Sequence, residues 1–125
     1  MKKNNIIDTV NVRCDLISDQ IFYASYKPHS FNDVPEMEIV FNEYNKVAES
    51  GPLKVIVEFG ELSSITKEAR NYLKKHKVKA ICEAIIINSL AQRLIMSFYI
   101  KVKSHNHPSK VFKSKKNALN WVNSY

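Results

Sequence analysis

Two rhythms divide the apolar residues of this chain. From Val34 onward Met37, Val40, Phe41, Tyr44, Val47 and Ala48 recur every third or fourth position, the spacing of one helix face. Asp33 precedes them as an N-cap, Pro35 and Glu36 occupy the first turn, and Ser50-Gly51-Pro52 is a stop signal. Leu53 to Phe59 and Ile81 to Ile87 follow the other rhythm. Both are short, nearly continuous apolar runs rich in β-branched residues, as expected of parallel strands buried on both faces. Earlier in the chain, Ile6 to Cys14 and Ile17 or Gln20 to Tyr26 read as two antiparallel strands, with Ser18-Asp19 supplying the turn between them.

The second half continues the alternation. Lys67 to about Lys77 is predicted as a helix with Thr66 as cap and Ala69, Tyr72, Leu73 and His76 inward. Asn88 or Ser89 caps a third helix running through roughly Lys101, with Leu90, Ala91, Leu94, Ile95, Phe98, Tyr99 and Val102 as its stripe. Met96 and Ile100 widen that stripe beyond the need of one sheet face. Lys110 to Lys113 is a short strand, and Ser114 caps a last helix bearing Ala118, Trp121, Val122 and Tyr125. The predicted order is β-β-α-β-α-β-α-β-α, an α/β fold with a mixed, mostly parallel sheet and an antiparallel edge pair. The runs at Val55–Phe59 and Ile81–Ile87 are expected side by side at its centre, and Phe41 and Leu94 in its core.

Composition fits one ordered domain spanning residues 1–125: apolar residues make up 45%, charged residues 25%, and there are only two Gly and four Pro. No apolar core of signal-peptide length follows Lys2-Lys3, and Asn88, Ser89, Gln92, Arg93 and Ser97 interrupt the most apolar stretch, so a soluble cytoplasmic protein without a transmembrane segment is expected. Cys14 and Cys82 lack metal-ligand spacing and read as packed, reduced thiols. The net charge of +7 is lopsided: residues 1–50 carry five basic against eight acidic side chains, residues 101–125 six against none. Those C-terminal lysines are interleaved with apolar strand and helix positions and read as a solvated face rather than a nucleic-acid surface.

The junction between Phe59 and Lys67 concentrates the candidate chemistry. Ser63, Ser64 and Thr66 place hydroxyls where a helix N-terminus offers free N–H groups, so each suits capping, and each could also accept a phosphate there. Glu58 ends a central strand and could face the crevice where open α/β sheets bind ligands, or pair with a surface cation. Arg93 interrupts the third helix as either an anchor for a carboxylate or a snorkelling surface side chain. His105-Asn106-His107 offers two imidazoles but too few further ligands for zinc. GxSxG, P-loop, GxGxxG and HExxH patterns are absent, which gives no catalytic residue and no cofactor to expect.

Val55-Ile56-Val57-Glu58-Phe59 followed by Ser63-Ser64-Ile65-Thr66, Asn88-Ser89-Leu90-Ala91-Gln92-Arg93-Leu94-Ile95, and Val111-Phe112-Lys113-Ser114 leading into Ala118-Leu119-Asn120-Trp121-Val122 together resemble the STAS-like or SpoIIAA-like families, which include anti-sigma-factor antagonists. In those antagonists a strand ending in an acid leads to an Asp-Ser-Ser/Thr-Gly motif whose phosphorylated serine opens the next helix and switches partner binding. Glu58 is similar to the strand acid, and Ser63 or Ser64 lies in the phosphoacceptor region. Leu62 stands where the motif has Asp and Ile65 where it has Gly. The resemblance therefore implies the fold and an interaction role more than the phosphoswitch. The expected function is a non-catalytic protein-interaction or regulatory domain, binding an unidentified protein partner and self-associating as a homodimer through its third helix or an exposed strand edge. The alternative is a module of the same fold that binds a small apolar or lipid-like ligand.

Overall fold

The computed structural model describes residues 4–90, 92–94, 96–97 and 107–125. Its framework is a six-stranded sheet in the order β1-β2-β3-β5-β7-β8, built from β1 (Asn4–Asp8), β2 (Val12–Ser18), β3 (Ile21–Tyr26), β5 (Leu53–Phe59), β7 (Ala80–Ile87) and β8 (Ser109–Phe112). β1, β2 and β3 form an antiparallel meander, while β3, β5, β7 and β8 run parallel. The two most apolar strands, β5 and β7, are neighbours inside the sheet as their composition predicts. Two short strands, β4 (Phe31–Asn32) and β6 (Ser64–Ile65), pair in parallel as a separate ribbon.

The first predicted strand is two. Ile6 to Cys14 is broken at Thr9-Val10-Asn11, where the Thr9 hydroxyl donates to the Val12 carbonyl at 2.9 Å and accepts from the Val12 N–H at 3.0 Å. These local bonds compete with continued strand pairing and fold the segment into a hairpin. Val10, apolar and therefore read as a strand residue, is the 89% exposed tip of that turn.

Helix α1 (Val34–Val47) starts as predicted. Asp33 Oδ1 accepts from the Val34 N–H at 2.8 Å, and Glu36 Oε1 accepts from the Asp33 N–H at 2.7 Å, closing a capping box. At its other end Gly51 adopts a φ of 148°, a conformation that side chains avoid, and Pro52 follows. Helix α2 (Lys67–Lys75) is capped by Thr66, whose Oγ1 accepts from the Ala69 N–H at 3.0 Å. Residues 90, 92–94 and 96–97 are helical (α3), with Ser89 Oγ accepting from the Gln92 N–H at 3.4 Å; the remainder of the third predicted helix lies outside the described residues. The C-terminal helix α4 (Lys115–Val122) is capped by Ser114, which accepts from the Asn117 N–H at 3.2 Å.

Side-chain alternation along the strands splits the core in two. On one face α1 and α2 cover Val12, Cys14, Phe22, Ala24, Tyr26 and Val55 with Met37, Tyr44 and Ala69. On the other face α4 presses Ala118 and Val122 onto Ile21, Tyr23, Ile56, Cys82, Ala84 and Ile86. The two cysteines are buried, free and on opposite faces. Burial pushes the Cys14 thiol up to about 12, with the carboxylates of Glu43 and Asp15 adding to the shift, and burial raises Cys82 as well.

Several predicted core positions are not core. Leu94 is 64% and Leu90 61% exposed, so the wide stripe of the third helix does not all turn inward. Leu73 and His76 on α2 are also exposed, because α2 leans on α1 rather than lying flat on the sheet. Phe41 is half-buried, its ring standing edge-on to Tyr72 at 6.2 Å and to His76 at 5.7 Å.

Candidate functional site

The carboxyl ends of β3 and β5 meet where their exits nearly touch. The Gly60 N–H donates to the Tyr26 carbonyl at 2.7 Å, and a Cβ at Gly60 would stand 2.5 Å from the Pro28 nitrogen. Only glycine permits that approach. Beyond it each chain adds one short strand, so that Phe31 lies opposite Ser64 and Asn32 opposite Ile65. Asn32 is fully buried and its Nδ2 donates to Ser30 Oγ at 2.8 Å and to the Ser64 carbonyl at 3.1 Å.

This ribbon brings the two helix N-termini together. Thr66 Oγ1 caps α2 and also donates to Asp33 Oδ1, the cap of α1, at 2.7 Å. That bond, followed by the bond from the Val34 N–H, holds the Asp33 carboxyl below its ordinary value. Thr66 is thereby committed to structure. Ser64 differs: it is exposed, and its hydroxyl makes only a long 3.5 Å contact with the Ser30 carbonyl. Ser63 is half-buried beside it. Apolar side chains stand in solvent on the same rim: Leu62, held at a φ of 57°, is 72% exposed and Phe31 61%. The tip of the β1–β2 hairpin reaches this rim too, since the Lys27 N–H bonds to the Asn11 carbonyl at 2.9 Å.

Glu58 is elsewhere. It points to the opposite face of the sheet, where it accepts a short hydrogen bond from the Tyr23 hydroxyl in a polar recess with Arg13, Asp15 and Lys115. Burial, and then the bond to Glu58, raises the Tyr23 hydroxyl. Asp15 is almost wholly buried and paired with Arg13 Nε at 3.1 Å, and Lys115 Nζ sits 4.8 Å from the centre of the Tyr23 ring. Arg93 is on neither surface: it is half-buried in α3, and its Nε is buried without a hydrogen-bond partner among the described residues. The fold thus brings together Ser63, Ser64 and Thr66, and separates Glu58 and Arg93 from them.

A feature that periodicity did not disclose lies under α2. A cavity of about 240 Å³ opens between the sheet and the helices, walled by Val57, Phe59 and Ile85 from the strands, Phe41 from α1, Leu73 from α2 and Met96 from α3. Glu83, His107 and Ser109 give it a polar edge at the strands, and Arg70, His76 and Lys77 border it from the α2 side. The sequence signal was the acid Glu83 inside an otherwise apolar strand. His107, expected in a loop, has its imidazole buried, with Nε2 3.1 Å from Glu83 Oε1. No cluster of metal-ligating side chains occurs among the described residues, and no helix among them is long and apolar enough to cross a membrane.

The profile of a domain of unknown function, DUF7793, matches residues 16–125 of this sequence. The chain belongs to the DUF7793 family. The DUF7793 fold is in turn similar to the crystal structure, at 2.25 Å resolution, of an uncharacterized DUF3478-family protein with a SpoIIAA-like fold from Shewanella loihica PV-4. The two superpose with a TM-score of 0.64 over 93% of this chain and 97% of that one, at 16% sequence identity. At that identity the likeness establishes a SpoIIAA-like fold for the DUF7793 chain, the fold implied by the resemblance of its local sequences. No curated protein matches the DUF7793 chain significantly.

Proposed function

We propose that this chain is a non-catalytic interaction domain that meets a protein partner through the carboxyl-end rim of its sheet. The observation that carries the reading is the set of large apolar side chains left in solvent there: Leu62 at 72%, Phe31 at 61% and Val10 at 89% exposure, around the exposed Ser64. Water-facing apolar groups gathered at one end of a domain are the usual mark of a surface that is covered in use. Ser64 sits among them near the N-terminus of α2, where added negative charge is tolerated and would alter a partner's contacts. Leu90 and Leu94, 61% and 64% exposed on α3, extend the same logic to self-association.

The test uses the purified chain as bait in native lysate, comparing wild type with a Phe31→Asp/Leu62→Asp double variant whose circular dichroism is unchanged. The reading expects proteins enriched by wild type and lost by the variant, and a Ser64→Asp change of about 1–3 kcal/mol in their binding. Identical captured sets for both baits overturn it. Sedimentation of wild type against Leu94→Glu examines self-association separately.

A second reading, a module that binds a small apolar ligand, is favoured by the cavity beneath α2. Cavities of roughly 150 Å³ lined by aliphatic and aromatic groups take up benzene-sized molecules, and this one is larger.

A further inference from the structure

Resting on that second reading, the geometry points to a ligand of one chemical class: an uncharged amphiphile whose apolar body fills the cavity and whose single hydroxyl or amide head meets Glu83, His107 and Ser109. The walls are apolar and contributed by three separate elements besides the sheet, so the body of the ligand is selected by burial alone. Leu73 lines the cavity and keeps 39% of its surface exposed, so an apolar ligand seated there would cover apolar surface that the fold leaves uncovered.

The polar edge sets the head group. Glu83 and Ser109 are directly paired residues of β7 and β8, and His107 reaches the same carboxylate from just before β8. The hydroxyl of Ser109 is buried and has no hydrogen-bond partner among the described residues. A buried hydroxyl is seldom left so, and a ligand group that both donates and accepts would satisfy it. Arg70, His76 and Lys77 line the cavity on its α2 side, so both signs of charge border it. The head that satisfies Ser109, however, sits at the β7–β8 edge, where a carboxylate would stand beside Glu83 and add a second negative charge against apolar walls. Alcohols and amides carry the donor that Glu83 accepts without that cost.

Three ten-carbon probes with one tail and different heads test the assignment on the full chain: 1-decanol, decanoate and decylammonium, titrated by calorimetry and by methyl NMR of Met96 and Ile85. The expected order places decanol about tenfold tighter than decanoate, with Met96 and Ile85 responding. Glu83→Gln should close most of that gap by strengthening decanoate, and Ser109→Ala should weaken decanol about threefold or more while leaving the fold unchanged. Ile85→Trp, which fills the space, should abolish the response to all three. Decanoate or decylammonium binding as tightly as decanol to wild type overturns the head-group assignment and leaves the cavity reading standing. A chain that answers none of the three probes at Met96 or Ile85 overturns both.

Discussion

The two faces of the sheet are covered by different means. Under α4 the contact is made by small and branched residues: Ala118 and Val122 meet Cys82, Ala84, Ile56 and Ile86, all of them at or near zero exposure. Short side chains let α4 approach the strands closely at these positions, and the space left on this face is the polar recess at Tyr23, Glu58 and Lys115. Under α1 and α2 the side chains are large: Phe22, Tyr26, Met37, Tyr44 and Phe59 occupy the interface. Rings prop the helices away from the strands. Tyr26 and Phe59 stack at 4.9 Å, Phe22 meets Tyr44 edge-on at 5.3 Å, and α2, whose one fully buried residue is Ala69, bridges over the remaining gap. Under α4 the apolar contact is close and the recess beside it is polar; under α2 the space that remains is walled by apolar side chains.

Paired truncations give the largest contrast. Ile86→Ala on the closed face should cost about 2–5 kcal/mol, as a fully buried aliphatic side chain with no room to relax. Leu73→Ala on the open face should cost no more than about 0.5 kcal/mol, the range of surface substitutions. Urea midpoints measure both, and equal losses would mean that α2 packs as tightly as α4. Leu94→Ala, at a position predicted as core and found exposed, belongs with Leu73 in this comparison.

The next effect concerns how the open face is held. Since α2 has little packing beneath it, its attachment depends more on the rim, where Thr66 caps α2 and bonds to the α1 cap. Thr66→Ala should cost about 1 kcal/mol and loosen hydrogen-exchange protection across α2. Ser114→Ala removes the corresponding cap of α4, yet Ala118 and Val122 still anchor that helix, so exchange there should change less.

The smallest effect is a pH dependence. Asp33 has its carboxyl held low in the folded chain by the Thr66 hydroxyl and the Val34 N–H. A depressed carboxyl contributes stability above its ordinary value of 3.8, and that contribution fades as pH falls from 3.8 toward the lower folded value. Asp33→Asn should therefore flatten the acid limb of the stability curve below that point, and Thr66→Val should flatten it partly. An unchanged acid limb in both variants would show that the two caps are not linked in solution.

Much of the fold was legible because it follows from local chemistry. The capping signals at Asp33, Thr66 and Ser114 name their helices, since each side chain bonds within its own turn. The apolar runs at β5 and β7 name interior strands, since only a doubly covered strand is apolar on both sides. The candidate site was legible in part. Thr66 caps α2 as its position predicts, but Ser64 belongs to β6 and Ser63 to the turn before it rather than to the cap. Glu58 is separated from all three by strand alternation, which sends Glu58 and Phe59 to opposite faces. Misreadings came where an apolar residue does something other than bury itself. Val10 turns a hairpin, and Leu90 and Leu94 stand in solvent.

What the sequence determined by itself is therefore the alternation of the helices with the longer parallel strands, the caps and stops of those helices, and the parallel core, because periodicity and hydrogen-bond chemistry act over a few residues at a time. What the tertiary structure alone decided is which of two apolar faces keeps an apolar cavity. That depends on whether side chains distant in sequence, Ala118 on Ala84 or Phe59 on Tyr26, add up to a fit or leave a space, and hydrophobicity registers their attraction without registering their shape.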